Sequence, residues 1–142
     1  MPLSRTKEIL INYRFLLRNV KALREGMERL QEQIDGLKAQ DYTTDKITAH
    51  REDSKIEQMV IELVEKKLKL DTAETLLSAI EGALEELEDV DKEIIRLKYI
   101  DKNTWNVNWN YVADKVGYSK KQCIRRRDKA LKRIEVVLDG IV

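Results

Sequence analysis

The sequence has one cysteine, Cys123, and one proline, Pro2. A lone thiol excludes an intramolecular disulfide and suits a reducing compartment. One proline and five glycines in 142 residues leave little to interrupt a helix. Aromatic residues make up only 6%, which is sparse for a large globular core. The single histidine, His50, falls in a polar stretch, and no Cys/His/acid spacing suits a metal. There is also no glycine-rich phosphate loop and no pairing of a nucleophile with a base. Neither an enzyme, a metal nor a cofactor is therefore expected. No apolar run reaches the roughly 18 residues of a membrane span, and the N-terminal MPLSRTKEIL lacks the apolar centre of a signal peptide. A cytoplasmic protein without a membrane partner is expected.

Charge is abundant, at 37% of residues, and the net value of +1 hides an asymmetry. Residues 91–142 contain 13 Lys/Arg against 7 Asp/Glu, a balance of +6. Residues 1–90 contain 14 against 19, a balance of −5. The basic C-terminal part is the candidate for an anionic partner.

Apolar residues at Ile9, Tyr13, Leu16, Val20, Leu23, Met27, Leu30, Ile34 and Leu37 alternate spacings of four and three without a miss. This heptad seam predicts a long helix from about Arg5 to Ala39. Leu10, Phe15 and Leu17 broaden its stripe. Residues 41–53 (DYTTDKITAHRED) read as a polar break. Ser54 and Glu57 then suggest a capping box at the start of a second helix. Met59, Leu63, Leu70, Ala73, Leu77, Ile80, Leu84 and Leu87 continue a four–three pattern if Lys66 takes one seam position. Two helices of similar length predict an antiparallel hairpin over residues 1–88. Val60, Val64 and Leu76 lie outside the seam, so a homodimer formed through the hairpin is expected.

Residues 89–142 change character. DKEIIRLKYI, from Asp91 to Ile100, reads as a short amphipathic helix and DKNTWNVN as a loop. WNYVADKV, from Trp109 to Val116, is a second short helix with Asn108 as its N-cap. Gly117 suits the left-handed residue that closes a helix. Ser119 then caps the last helix, with Gln122 completing a capping box. Two helices joined by a short glycine-containing turn have the form of a helix-turn-helix. The fold class is thus all-α: a long hairpin followed by a C-terminal DNA-binding domain.

The last helix separates its side chains by face. Cys123, Ala130, Leu131, Ile134 and Leu138 cluster on one side, while Lys121, Gln122, Arg125, Lys129 and Lys132 point the other way. Arg126 and Arg133 flank that outer face. Lys120 and Lys121 occupy the first turn, where the helix dipole disfavours cations unless an anion lies nearby. Double-stranded DNA would supply that anion, since a recognition helix enters the major groove by this end. The expected contacts are Ser119, Lys120, Lys121, Gln122, Arg125, Arg126 and Lys129. Gln122 and Arg125 suit adenine and guanine edges, and the cations suit phosphates. Arg127 is the misfit, falling on the buried face, where it needs an acid such as Asp114 or Glu93.

DKEIIRLKYI, VADKVGYS and KALKRI together resemble region 4 of bacterial primary-type sigma factors, the unit that reads the −35 promoter element. With the hairpin included, the whole chain resembles sigma-region-4-like proteins of phages and prophages of Gram-positive bacteria, close to the RinA and ArpU late regulators. The resemblance implies a transcriptional regulator of phage late genes, with host RNA polymerase as a further candidate partner. The chain departs from that pattern in the longer loop carrying Trp105 and in Arg126, where sigma factors usually have an apolar residue. Two other readings stay open: a small terminase-like packaging subunit, and a module that binds RNA polymerase or a sigma factor without DNA.

Overall fold

The computed structural model describes residues 3–39, 46–101 and 107–141. Every regular element among them is helical. In chain order these are α1 (Leu3–Ile11), α2 (Tyr13–Ala39), α3 (Lys46–Glu85), α4 (Asp89–Ile95), a π-helical turn (Arg96–Ile100), α5 (Trp109–Val116) and α6 (Lys120–Asp139).

Three boundaries differ from the sequence reading. The first helix divides at Asn12, but Asn12 N–H still bonds to Glu8 O at 3.0 Å and Leu16 N–H to Asn12 O at 2.9 Å. The ladder therefore passes through the junction. The second helix starts at Lys46, so Ser54 lies inside it and is not its cap. Nothing from Lys46 to Asp53 is a proline or glycine, so polarity there does not interrupt the helix. Of the expected break, residues 41–45 lie outside the described residues. Finally, α4 begins at Asp89 and passes directly into the π turn, whose wide bond from Asp101 N–H to Arg96 O measures 2.8 Å.

The helices form two compact units. One is Arg18–Glu74, within α2 and α3. It buries Val20, Leu30, Ile34, Leu70 and Ala73, all seam positions of the heptad pattern. Arg24 donates to Glu74 Oε1 from Nη2 at 2.6 Å and from Nε at 3.0 Å. Lys66 also takes its seam position, where its stem runs 3.9 Å from the Cβ that a side chain at Gly26 would have. A glycine opposite leaves room for the aliphatic part of a lysine to lie along the seam.

The other unit comprises the chain up to Leu17 and from Thr75 onward. The sequence reading placed a boundary between residues 88 and 89, but packing draws the segments on both sides of it into one body. Leu131, Ile134 and Leu138 of α6 share a core with Leu10 of α1, Ile80 and Ala83 of α3, and Ile95 and Tyr99. A fragment of some fifty residues would leave that face of α6 uncovered, since small domains bury too little apolar surface to stand alone. A second cluster joins Ile94, Leu97, Val112 and Cys123, edged by Trp109, Val116 and Tyr118. All four apolar residues singled out in DKEIIRLKYI (Ile94, Ile95, Leu97 and Tyr99) are buried. Among the described residues, no helix is long and apolar enough to cross a membrane.

Candidate nucleic-acid interface

Each end of the α5–α6 connection is fixed by a short-range bond. Asn108 Oδ1 accepts from Tyr111 N–H at 2.9 Å, capping α5. Gly117 has φ 79°, where a β-carbon would cost about 1–2 kcal/mol, and its N–H closes α5 on Ala113 O at 2.9 Å. Ser119 Oγ accepts from Gln122 N–H at 3.2 Å, and Gln122 Oε1 accepts from Ser119 N–H at 3.3 Å. This reciprocal box sets where α6 starts.

The inner face of α6 is the one expected: Cys123, Ala130, Leu131, Ile134 and Leu138 are all fully buried. Burial pushes the Cys123 thiol upward, although the nearby Arg126 charge pulls the other way. That thiol is a core side chain.

Of the expected contacts, Ser119, Lys120, Lys121, Gln122, Arg125 and Lys129 are exposed. Lys120, Lys121, Arg125 and Lys129 have no acidic partner among the described residues. Two further cations, Lys132 and Arg133, are exposed and unpaired in the same way. Helical spacing points to Lys132, since Arg125, Lys129 and Lys132 recur at i, i+4 and i+7, with Arg133 at the flank. From Lys121 to Arg133 the row extends about 18 Å at 1.5 Å per residue.

Two expected residues are engaged elsewhere. Gln122 presents an amide whose oxygen already serves the cap. Bidentate reading of adenine uses both the oxygen and the nitrogen of the amide, so full contact would open that side of the box. Arg126 turns away from the row. Its Nη1 donates to Asp91 Oδ1 at 2.9 Å and to Glu88 Oε2 at 3.2 Å, and its guanidinium lies 4.9 Å from the centre of the Tyr118 ring. The bonds to Asp91 and then Glu88 hold its pKa above the ordinary arginine value. Arg126 thus fastens α6 to the start of α4. An open groove of about 490 Å³ lies along this seam, lined on one side by Glu88 and Asp91 and on the other by Lys129, Lys132 and Arg133.

Arg127 does sit on the inner face, but neither Asp114 nor Glu93 meets it. Its Nη1 donates to the Tyr99 hydroxyl at 2.9 Å. Its Nε lies 2.7 Å from Asp128 Oδ1, an ion pair off the hydrogen-bond line. The guanidinium also covers the Trp109 ring, 5.0 Å from its centre. Burial would lower its pKa, but the Tyr99 hydroxyl and Asp128 more than offset that, leaving it above the ordinary value. Glu93 instead binds Arg96, at 2.6 Å.

No group of three or more potential metal-ligating side chains occurs among the described residues, and Trp105 lies outside them. Comparison with protein-family models, with curated proteins and with solved structures gives no match.

Proposed function

We propose that this chain is a cytoplasmic, sequence-specific regulator of transcription that binds duplex DNA through a helix-turn-helix made of α5 and α6. One observation carries this reading. Lys121, Arg125, Lys129 and Lys132 stand exposed and unpaired on the side of α6 opposite its buried face, with Lys120 unpaired in the first turn and Arg133 unpaired at the flank. Arg126, on the same helix, is by contrast matched to acids, as are Arg24 and Arg96 on other elements. In this reading Arg125 reads base edges, Lys120, Lys121, Lys129, Lys132 and Arg133 hold phosphates, and Arg126 keeps α6 in place. The resemblance to phage sigma-region-4-like regulators supports a role in late-gene control.

The same reading assigns self-association to α3. Val60, Ile61, Val64 and Leu68 form an exposed apolar row, with Leu68 63% and Ile61 57% accessible. A second copy of the chain is its proposed cover.

The test is selection from random duplex DNA at moderate salt, followed by sequencing of the retained pool. An enriched motif is expected. Arg125→Ala should then relax preference at one position, and Lys121→Ala should weaken binding to all sequences alike. Retention without enrichment would point to packaging. If nothing is retained, DNA binding is refuted and the two-signed groove beside Arg126 becomes the site to explore for a protein partner.

A further inference from the structure

Two cations share the ring of Trp109. Lys98 Nζ lies 5.1 Å from the centre of the indole, and Arg127 Cζ lies 5.0 Å from the same centre. One ring quadrupole thus attracts two positive charges that repel each other. A third cation, Lys7, is half-buried on α1, the helix that packs against the π turn, and its charge acts on Lys98. Lys98 is shifted below the ordinary lysine value, first by burial, then by the charges of Arg127 and Lys7.

Acids that might neutralise this cluster are engaged elsewhere. Arg96 holds Glu93 at 2.6 Å and Asp101 at 2.9 Å, and Arg126 holds Glu88 and Asp91. Asp128, half-exposed, lies beside Arg127. Lys98 itself meets a neutral acceptor, Val107 O, at 2.5 Å. That leaves two of its three N–H groups free. Arg127 uses Nη1 on Tyr99, while Nη2 has no protein partner among the described residues. Unused donors on a partly buried lysine and arginine, at a wide π turn of the kind often found at functional sites, describe an incomplete set.

We infer that Lys98, Arg127 and Lys7 form a binding site for a phosphate-type oxyanion beside Trp109, separate from the outer face of α6. A doubly charged tetrahedral oxyanion matches this chemistry. It takes several N–H donors at once, neutralises the excess charge and restores Lys98 to its ordinary protonation range. Its source is either a backbone phosphate of nucleic acid or free phosphate. The site does not depend on α6 reading DNA bases.

The experiment uses the full chain and inorganic phosphate. Thermal unfolding is followed in phosphate and in chloride at matched ionic strength, for the parent, Lys98→Met, Lys7→Met and Lys121→Ala. A phosphate-specific rise in Tm is expected, reaching roughly 5 °C at ten times the half-saturating concentration. Lys98→Met should abolish it and Lys7→Met should reduce it, while Lys121→Ala retains it. Lys7 is only half-buried on α1, so its variant keeps the test open if Lys98→Met fails to fold. A second arm measures the salt dependence of duplex binding. A slope shallower by about 0.9 in Lys7→Met identifies a backbone phosphate as the occupant. A Tm rise with no change in slope identifies free phosphate. If phosphate and chloride act alike and the slope is also unchanged, or if both lysine variants respond to phosphate as the parent does, the inference is overturned.

Discussion

Lys129 and Arg126 both line the groove on α6, yet they should respond to substitution in opposite ways. Lys129 is exposed without an acid, whereas Arg126 is bonded to Asp91 and Glu88. If Lys120, Lys121, Lys129, Lys132 and Arg133 each neutralise one phosphate, log Kobs should fall against log salt with a slope of about −4.5. Between about 50 and 200 mM salt that is a roughly 500-fold loss of affinity. Lys129→Ala should bring the slope to about −3.6 and the loss to roughly 150-fold. Arg126→Ala should leave the slope unchanged and lower Tm, because it unfastens α6 from α4 and contacts no phosphate. Fluorescence anisotropy on the selected duplex at several salt concentrations gives the slopes, and circular dichroism gives Tm. An Arg126→Ala slope as shallow as that of Lys129→Ala would show that the clamp opens onto DNA, refuting the division of roles.

Gln122→Glu keeps a carboxylate oxygen to accept from Ser119 N–H, so Tm should hold within about 0.5 kcal/mol of stability; duplex affinity should drop at least tenfold, and unchanged affinity in a binding titration would remove Gln122 from the interface. Replacing both Val64 and Leu68 with Glu should convert a dimer into a monomer in sedimentation. A parent that is monomeric at every concentration would dispose of the proposed seam. Tyr13 donates to Glu81 Oε1 at 3.0 Å, and burial, together with that bond and charge, pushes the phenol up to about 12 from 10.0. Its folded pKa exceeds its unfolded one, so the associated stability is present below pH 10 and is lost as pH rises toward 12. In urea titrations over that window Tyr13→Phe should lose less stability than the parent, and equal losses would show that the Glu81 bond carries none of this dependence.

The parts of the fold governed by local periodicity were legible in the sequence. The five buried residues of α6, the Asn108 and Ser119 caps and the Gly117 turn depend on neighbours within a few positions. What was not legible depended on distant partners. Arg126 looked like a flanking phosphate ligand because Asp91, its closest acid, is 35 residues away. Arg127 was recognisable as a misfit, but Tyr99 reaches it from a π turn, whose wider register no 3.6-residue pattern anticipates. Leu10 seemed only to broaden a stripe led by Ile9. It is in fact wholly buried, with Ile9 only partly so, because α1 lies against α6.

The burial of Leu10 among side chains from Ile80 to Leu138 also constrains the order of folding. Its last partners are more than a hundred positions further along the chain. During synthesis the heptad helices can form and pair as they emerge, but the core around Leu10 cannot close until α6 has left the ribosome. Contacts of such long sequence separation form slowly, and until then the apolar side of α1 stays open to wrong partners or chaperones. A nascent chain halted before α6 would therefore hold its heptad helices but leave Leu10 without the side chains of Leu131, Ile134 and Leu138 that complete its core.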